Sequence, residues 1–481
     1  MKIGGRDGKL DLGRPTERAD SPGATSPYTS LPRVSRGTTD CGSLIRKHAW
    51  QILYQPDTPL GRYKKREARP VQVVHPRCCG LDVHKKIIVA CLMILGADGR
   101  LIKEIRSFGT MTGDILALSE WLLAAGCTHV AMESTGSYWK PIWNILEGKF
   151  DLLLVNAQHI KAVPGRKSDV RDCEWIAELL RHGLLRGSFV PDREQRELRE
   201  LTRYRTSLID ERSAEVNRVQ KTLEGGNIKL AAVAKDIMGK SGREILEALV
   251  AGSREAEAMA ELARGKLRSK LPELTQALAG QMGSHQRFML TEQLAHIDDL
   301  DQTIARLDAE IEERMGPFEE VITRLDAIPG VGRRTAEVII AEVGTDMGRF
   351  PTAEHLASWA GMCPGNNESA GKRKTGKTRK GDSALRRALI EAAHAAGRKR
   401  NSYLRAQYQR LVARRGKKKA AVAVGHSILV IAYHLIANKE SFYQDLGAHY
   451  FDERDRQRLE RRLVHRLEAL GYAVSLQPVA A

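Results

Sequence analysis

RCCGLDVHKKIIVACLMI (residues 77–94) opens the part of the chain with an α/β pattern, and Asp82 is the residue out of place in it. The run is apolar enough to read as one strand. An acidic side chain there is costly to bury unless it is paired or holds a cation. Working outward, GADGR (96–100) is a turn with an Asp-Gly signal, and LIKEIRSFGT (101–110) is a returning strand. TGDILALSEWLLAAG (112–126) is an amphipathic helix opened by a Thr/Asp cap region. THVAMEST (128–135) is a buried strand reaching Glu133, with Ser134 and Thr135 placed to cap the next helix, SYWKPIWNILEG (137–148). FDLLLVNA (150–157) is another buried strand, and DVRDCEWIAELLRHGLL (169–185) a helix.

That order of elements matches an α/β RNase H-like fold, in which acidic residues gather at one sheet edge. Four candidates stand in it: Asp82, Glu133, Asp169 and Asp172. The last two are three residues apart at a helix start, so both carboxylates face the same way. Singly, each has a structural explanation. Asp82 can end a strand, Glu133 can pair with a lysine, and Asp169 can cap a helix. Converging together, they would repel unless a divalent cation, Mg²⁺ or Mn²⁺, neutralised them. That points to metal-dependent phosphodiester chemistry. His84 would share the strand face of Asp82, within reach of a phosphate.

Charge names the substrate class. The 481 residues carry 77 Lys+Arg against 59 Asp+Glu, a formal net charge of +18. Such an excess suits a polyanion, nucleic acid first. Seven cysteines with no CxxC pair read as reduced thiols, which with the absence of a signal-like apolar segment suggests a cytoplasmic protein. The most apolar window, about 420–438, contains His426 and His434 and reads as a core helix, so no membrane partner is expected.

Residues 1–76 are rich in Gly, Pro, Ser, Thr and Arg and read as a disordered extension. Residues 77–190 form the α/β domain. From 191 to 325 the pattern is helical: Leu290, Leu294, Ile297, Ile304, Leu307 and Ile311 make one stripe, suited to two long antiparallel helices or a dimerising coiled coil. A mainly α region, 326–415, opens with IPGVGRRTAEVIIAEVG (328–344), in which Gly330 and Gly332 suggest a helix-hairpin-helix holding a DNA phosphate on backbone N–H groups. Six of the ten residues from Gly371 to Lys380 are basic: Lys372, Arg373, Lys374, Lys377, Arg379 and Lys380. Arg398–Arg400 and Arg414–Lys419 add two further clusters, and 416–481 reads as C-terminal helices. Together the basic runs favour nucleic-acid contact over a merely solvated surface.

With GLDVHK, MESTG and KSDVRDCEWIA in its first half, and IPGVG, LASWAGMCPGNNESAGKRKTGKTRKG and LRRALIEAA in its second, the chain resembles the DEDD-type transposases of bacterial insertion sequences, the insertion-sequence 110/116/902 group. The resemblance covers about residues 77–475. It implies a transposase whose four acidic residues are Asp82, Glu133, Asp169 and Asp172, and a nucleophilic serine at Ser369. Many relatives have Gly directly after that serine; here Ala370 intervenes. It further implies Mg²⁺, donor and target DNA, a guide RNA encoded by the element, and a homodimer or homotetramer. Two rival readings stay open: a RuvC-like endonuclease that hydrolyses branched DNA, and a non-catalytic nucleic-acid-binding protein.

Overall fold

The computed structural model describes residues 72–134, 136–156, 169–253, 255–365, 367–369, 372–378, 380–454 and 456–477. The expectations for residues 1–71, Thr135 and Arg379 lie outside them, as do the side chains of Asp169, Ser369, Arg373 and Lys374.

The single strand expected over 77–94 is two, β1 (Arg77–Val83) and β2 (Ile87–Leu95), paired antiparallel. His84, Lys85 and Lys86 are exposed, and the chain reverses there, the His84 N–H donating to Ile87 O at 2.9 Å. Next come β3 (Leu101–Gly109), α1 (Thr112–Ala124), β4 (His129–Glu133), α2 (Trp139–Leu146), β5 (Asp151–Val155) and α3 (Asp169–Arg181). The sheet order is β3-β2-β1-β4-β5, with β4 parallel to β1 and β5 parallel to β4. Ser134 does not cap α2, which starts from Tyr138. Its N–H donates to Val155 O, prolonging the strand pairing.

Alternation along the strands divides two apolar layers. Cys79, Leu81, Val130 and Met132 pack with Leu118 and Leu122 of α1 and Ile142 of α2. Cys78, Cys91, Ala131 and Val155 pack with Cys173, Ile176, Ala177 and Leu180 of α3.

Two long helices follow, α4 (Arg193–Gly225) and, further along the chain, Ser284–Met315. Between them lie α5 (Leu230–Val233), α6 (Lys240–Val250), α7 (Ala256–Ala260) and α8 (Leu271–Leu278), which makes the second long helix α9. α4 and α9 run antiparallel within one chain: Glu197 pairs with Arg314 at 2.8 Å, Arg205 with Asp308 at 3.0 Å, and Arg212 with Asp301. The apolar stripe of α9 is consumed here. Leu290, Leu294 and Ile297 join Val219 and Leu223 in a core with α6 and α8, and Ile304 meets Leu208.

The remainder is mostly helical: α10 (Glu319–Asp326), α11 (Arg333–Val343), α12 (Ala353–Trp359), a hairpin of β6 (Asn367–Ser369) and β7 (Lys372–Thr375), then α13 (Ser383–Ala396), α14 (Tyr403–Arg415), α15 (Lys417–Ala437), α16 (Tyr450–Arg454) and α17 (Arg456–Glu468). α15 has the length and hydropathy of a membrane span. It buries Val424, Ile428, Leu429 and Ala432 against α13 and its neighbours, as a core helix does. An aromatic joint ties the α/β part to this bundle. Phe189 lies 5.6 Å from Phe350 and 5.8 Å from Trp359, with the Arg199 guanidinium 5.2 Å above its ring.

Candidate active site and nucleic-acid interface

Parity along the strands places the first two acidic residues together. Asp82 shares its strand face with Cys78, and Glu133 shares its face with Ala131, both in the layer under α3. In the parallel pair Leu81 is opposite Met132, so Asp82 and Glu133 come next on adjacent strands, at their C-terminal ends. Asp169 and Asp172 occupy the first turn of α3, the helix on that same face. Gly80 allows the approach. A Cβ there would lie 2.4 Å from both Ala177 N and Cys173 O, so α3 rests directly on the β1 backbone.

Asp82 is 7% exposed, and its carboxylate is 3.1 Å from His84 Nε2 across the hairpin turn. Glu133 and Asp172 are half-buried. A hydrogen bond with the Cys91 thiol holds Cys173 below the usual thiol range, while burial and the nearby Asp82 charge push the other way. Among the described side chains no three of His, Cys, Asp or Glu stand together as a metal cluster, and the side chain of Asp169 is outside that set.

Ser369 ends β6, its backbone paired with Lys372 of β7 in a short antiparallel ladder with an irregularity at Asn367/Glu368. The hairpin stands on a closed base: Gly365 N–H donates to Lys377 O at 3.0 Å, and Pro364 bridges Thr378. Lys372, Lys377 and Lys380 are exposed. Their charges are free to meet phosphate, unlike the arginines of the next motif.

Gly330 has φ +90°, and a Cβ on it would meet Ala392 O at 2.3 Å and Ala396 N at 2.5 Å. This glycine is thus needed for the turn into α11 and for close packing on α13. Gly332 is the N-cap of α11, with open space where its Cβ would be. In the first turn of α11, Arg333 is held by Glu319 at 2.7 Å and Arg334 by Asp308 at 2.6 Å.

Two sequence profiles match. One, described as "Transposase", covers residues 79–228, and the other, "Transposase IS116/IS110/IS902 family", covers 322–409. The chain belongs to the IS110 transposase family. Among curated relatives, a "Probable family 20 transposase" of Pseudomonas aeruginosa is 27% identical over 65% of this chain and 85% of its own length. The "Transposase for insertion sequence element IS1111A" of Coxiella burnetii is 24% identical over 83% of this chain and 97% of its own. A "Putative transposase y4pF/y4sB" of Sinorhizobium fredii is 28% identical over 66% and 76%.

Sequence reasoning overlooked the buried ionic frame behind the transposase hairpin. Glu342 of α11, fully buried, accepts from Arg203 Nε at 2.7 Å and sits 3.1 Å from Arg199 Nε. Burial raises its carboxyl pKa against the pull of Arg203. Arg203 also donates to Asp382, the N-cap of α13, at 2.9 Å. In the sequence these arginines look like ordinary helix-surface charge. Only their distant partners distinguish them.

Proposed function

We propose that this IS110-family transposase cuts and rejoins DNA through a covalent serine–DNA intermediate. The observation that carries the reading is the placement of Asp82 and Glu133 at neighbouring strand ends beneath the helix turn bearing Asp169 and Asp172. An RNase H/RuvC-like catalytic edge has this plan. The donor set fits Mg²⁺ or Mn²⁺: all four candidate ligands are carboxylates, hard oxygen donors, and Asp82 is largely withdrawn from water. A divalent ion held by them would neutralise charge on the scissile phosphate and make a nearby hydroxyl easier to deprotonate.

Ser369 is the nucleophile. Its Oγ attacks the phosphorus, forming a serine–phosphate ester as the scissile P–O bond breaks. The serine proton passes to a carboxylate or to water, and the departing deoxyribose oxygen takes up a proton. Attack by an incoming hydroxyl then reverses these steps and releases Ser369. One phosphoester is made for each one broken, so no ATP is required. The lysines of the hairpin, with Arg373, Lys374 and Arg379 in the same loop, offset the charge that builds on phosphate oxygens. Donor and target DNA are the substrates, and an element-encoded RNA guides them. Gly330 and Gly332 open a helix-hairpin-helix that holds backbone phosphate. A homodimer or homotetramer, working in the cytoplasm, brings the serine of one subunit to the carboxylates of another.

The test is a denaturing gel of the full chain with Mg²⁺, element-end RNA and labelled donor DNA, wild type beside Ser369→Ala. A protein-linked DNA band lost in the variant, and lost with EDTA, is the expected result. Free cut ends without adduct, equal in both proteins, would instead identify a RuvC-like nuclease using water, and return Ser369 to phosphate contact.

A further inference from the structure

We propose that Arg386 is the positioning residue of the serine hairpin, its guanidinium tying together the two arms from which β6 and β7 project; this rests on the serine reading above.

The arms are Ala360–Gly365, leaving α12, and, on the other side, Thr375–Thr378 with Lys380 and Gly381 ahead of α13. A single nitrogen, Arg386 Nη1, donates to Gly361 O on the first arm at 3.0 Å and to Thr378 Oγ1 on the second at 2.9 Å. Above this clamp, Gly365 N–H reaches Lys377 O at 3.0 Å, and Pro364 pairs with Thr378. Below it the backbones nearly touch: a Cβ on Gly381 would be 2.3 Å from Gly361 N and 2.4 Å from Ala360 C. The base of the hairpin is therefore over-determined, while β6–β7 itself has only a short ladder with a register irregularity.

Arg386 is anchored in turn. It lies in the first turn of α13, whose N-cap Asp382 accepts from Leu385 N–H at 2.8 Å and from Arg203 of α4 at 2.9 Å. The same Arg203 holds buried Glu342 of α11. Through this frame the arms are referenced to three helices of the bundle, α4, α11 and α13. A nucleophile loses rate steeply when displaced, so a short, basic, self-repelling hairpin needs such a fixed base. Lysine could replace the charge of Arg386, but its ammonium lies one bond nearer the backbone than Nη1 and so falls short of the point from which both acceptors are reached.

The test uses full-length protein with donor DNA, element-end RNA and Mg²⁺, and follows the single-turnover rate of adduct formation at saturating DNA. Arg386→Ala is expected to slow that rate ~10- to 100-fold, with DNA affinity within about twofold of wild type. Arg386→Lys should recover part of the rate, and added guanidinium ion should partly rescue Arg386→Ala. Thr378→Val removes only one acceptor, keeps the fold, and should slow the reaction several-fold. In parallel, trypsin cleavage within 372–380 should accelerate in Arg386→Ala and Thr378→Val while cleavage elsewhere is unchanged. Adduct rates and loop proteolysis equal to wild type in both variants would overturn the proposal. Absence of adduct in wild type would defeat the serine reading instead, and the proteolysis comparison would then decide whether the clamp holds the hairpin.

Discussion

One added methyl group at Gly80 tests whether the four carboxylates depend on helix contact. In Gly80→Ala the new Cβ would stand 2.4 Å from Ala177 N and Cys173 O, both backbone atoms of α3 that cannot rotate aside. Restoring ordinary contact at 3.4 Å means lifting the helix by about 1 Å (3.4 − 2.4). The first turn moves with it, taking Asp169 and Asp172 away from Asp82 and Glu133. Forcing a methyl into a filled core costs ~1–3 kcal/mol. Against a typical domain stability of ~5–15 kcal/mol, that leaves the chain folded. Displacing reacting groups by ~1 Å, however, costs on the order of 100-fold in rate. Gly80→Ala should therefore show a modest fall in urea midpoint and a disproportionate loss of single-turnover DNA cleavage. Gly113→Ala is the control, because nothing lies within 4 Å of its Cβ. It should keep full activity and gain up to ~1 kcal/mol from reduced chain entropy. If Gly80→Ala unfolds and cuts like wild type, α3 is not seated by this contact and the reasoning fails.

Arg205→Ala should destabilise strongly, because Arg205 is 3% exposed and donates to nearly buried Glu337 at 2.7 Å. Breaking such a pair costs ~3–5 kcal/mol. Arg333 remains 3.2 Å from Glu337, so the lower end is expected by urea unfolding; an effect indistinguishable from zero would contradict the assignment. Arg196 holds the Glu147 carboxyl below its usual 4.5, so this pair adds stability above that pH, which is lost as pH falls through the depressed value. The stability gap between wild type and Glu147→Gln should be full at neutral pH and close in acid; a pH-independent gap would refute the pairing. The logarithm of the nucleic-acid association constant should fall linearly with log salt, and Lys372→Ala should reduce that slope by about 0.7–0.9 in fluorescence anisotropy. An unchanged slope would remove Lys372 from the interface.

The candidate acidic residues stand out in the sequence for local reasons. Asp82 and Glu133 interrupt apolar strands, and Asp169 and Asp172 share a helix face by spacing alone. The hairpin at His84–Lys86 was less legible, since the apolar runs on either side read continuously and three polar residues are a weak stop signal. Ser134 carried a capping signal that strand pairing with Val155 outcompeted. The stripe on α9 fitted equally a second subunit or a neighbouring helix, because periodicity defines a face but not what covers it.

Read locally, the chain already shows an α/β half followed by a helical half, the excess of positive charge, and the candidate residues for phosphodiester chemistry. These follow from local periodicity and side-chain type, which each segment carries regardless of its neighbours. Tertiary structure alone decided that β4 lies beside β1 in a register that makes Asp82 and Glu133 neighbours. It alone decided that Gly80 lets α3 touch the sheet, and that Arg203 and Arg386 join residues up to 179 positions apart at the base of the hairpin. Contacts between distant segments are set by packing and by the need to satisfy buried charge, and neither leaves a periodic trace along the chain.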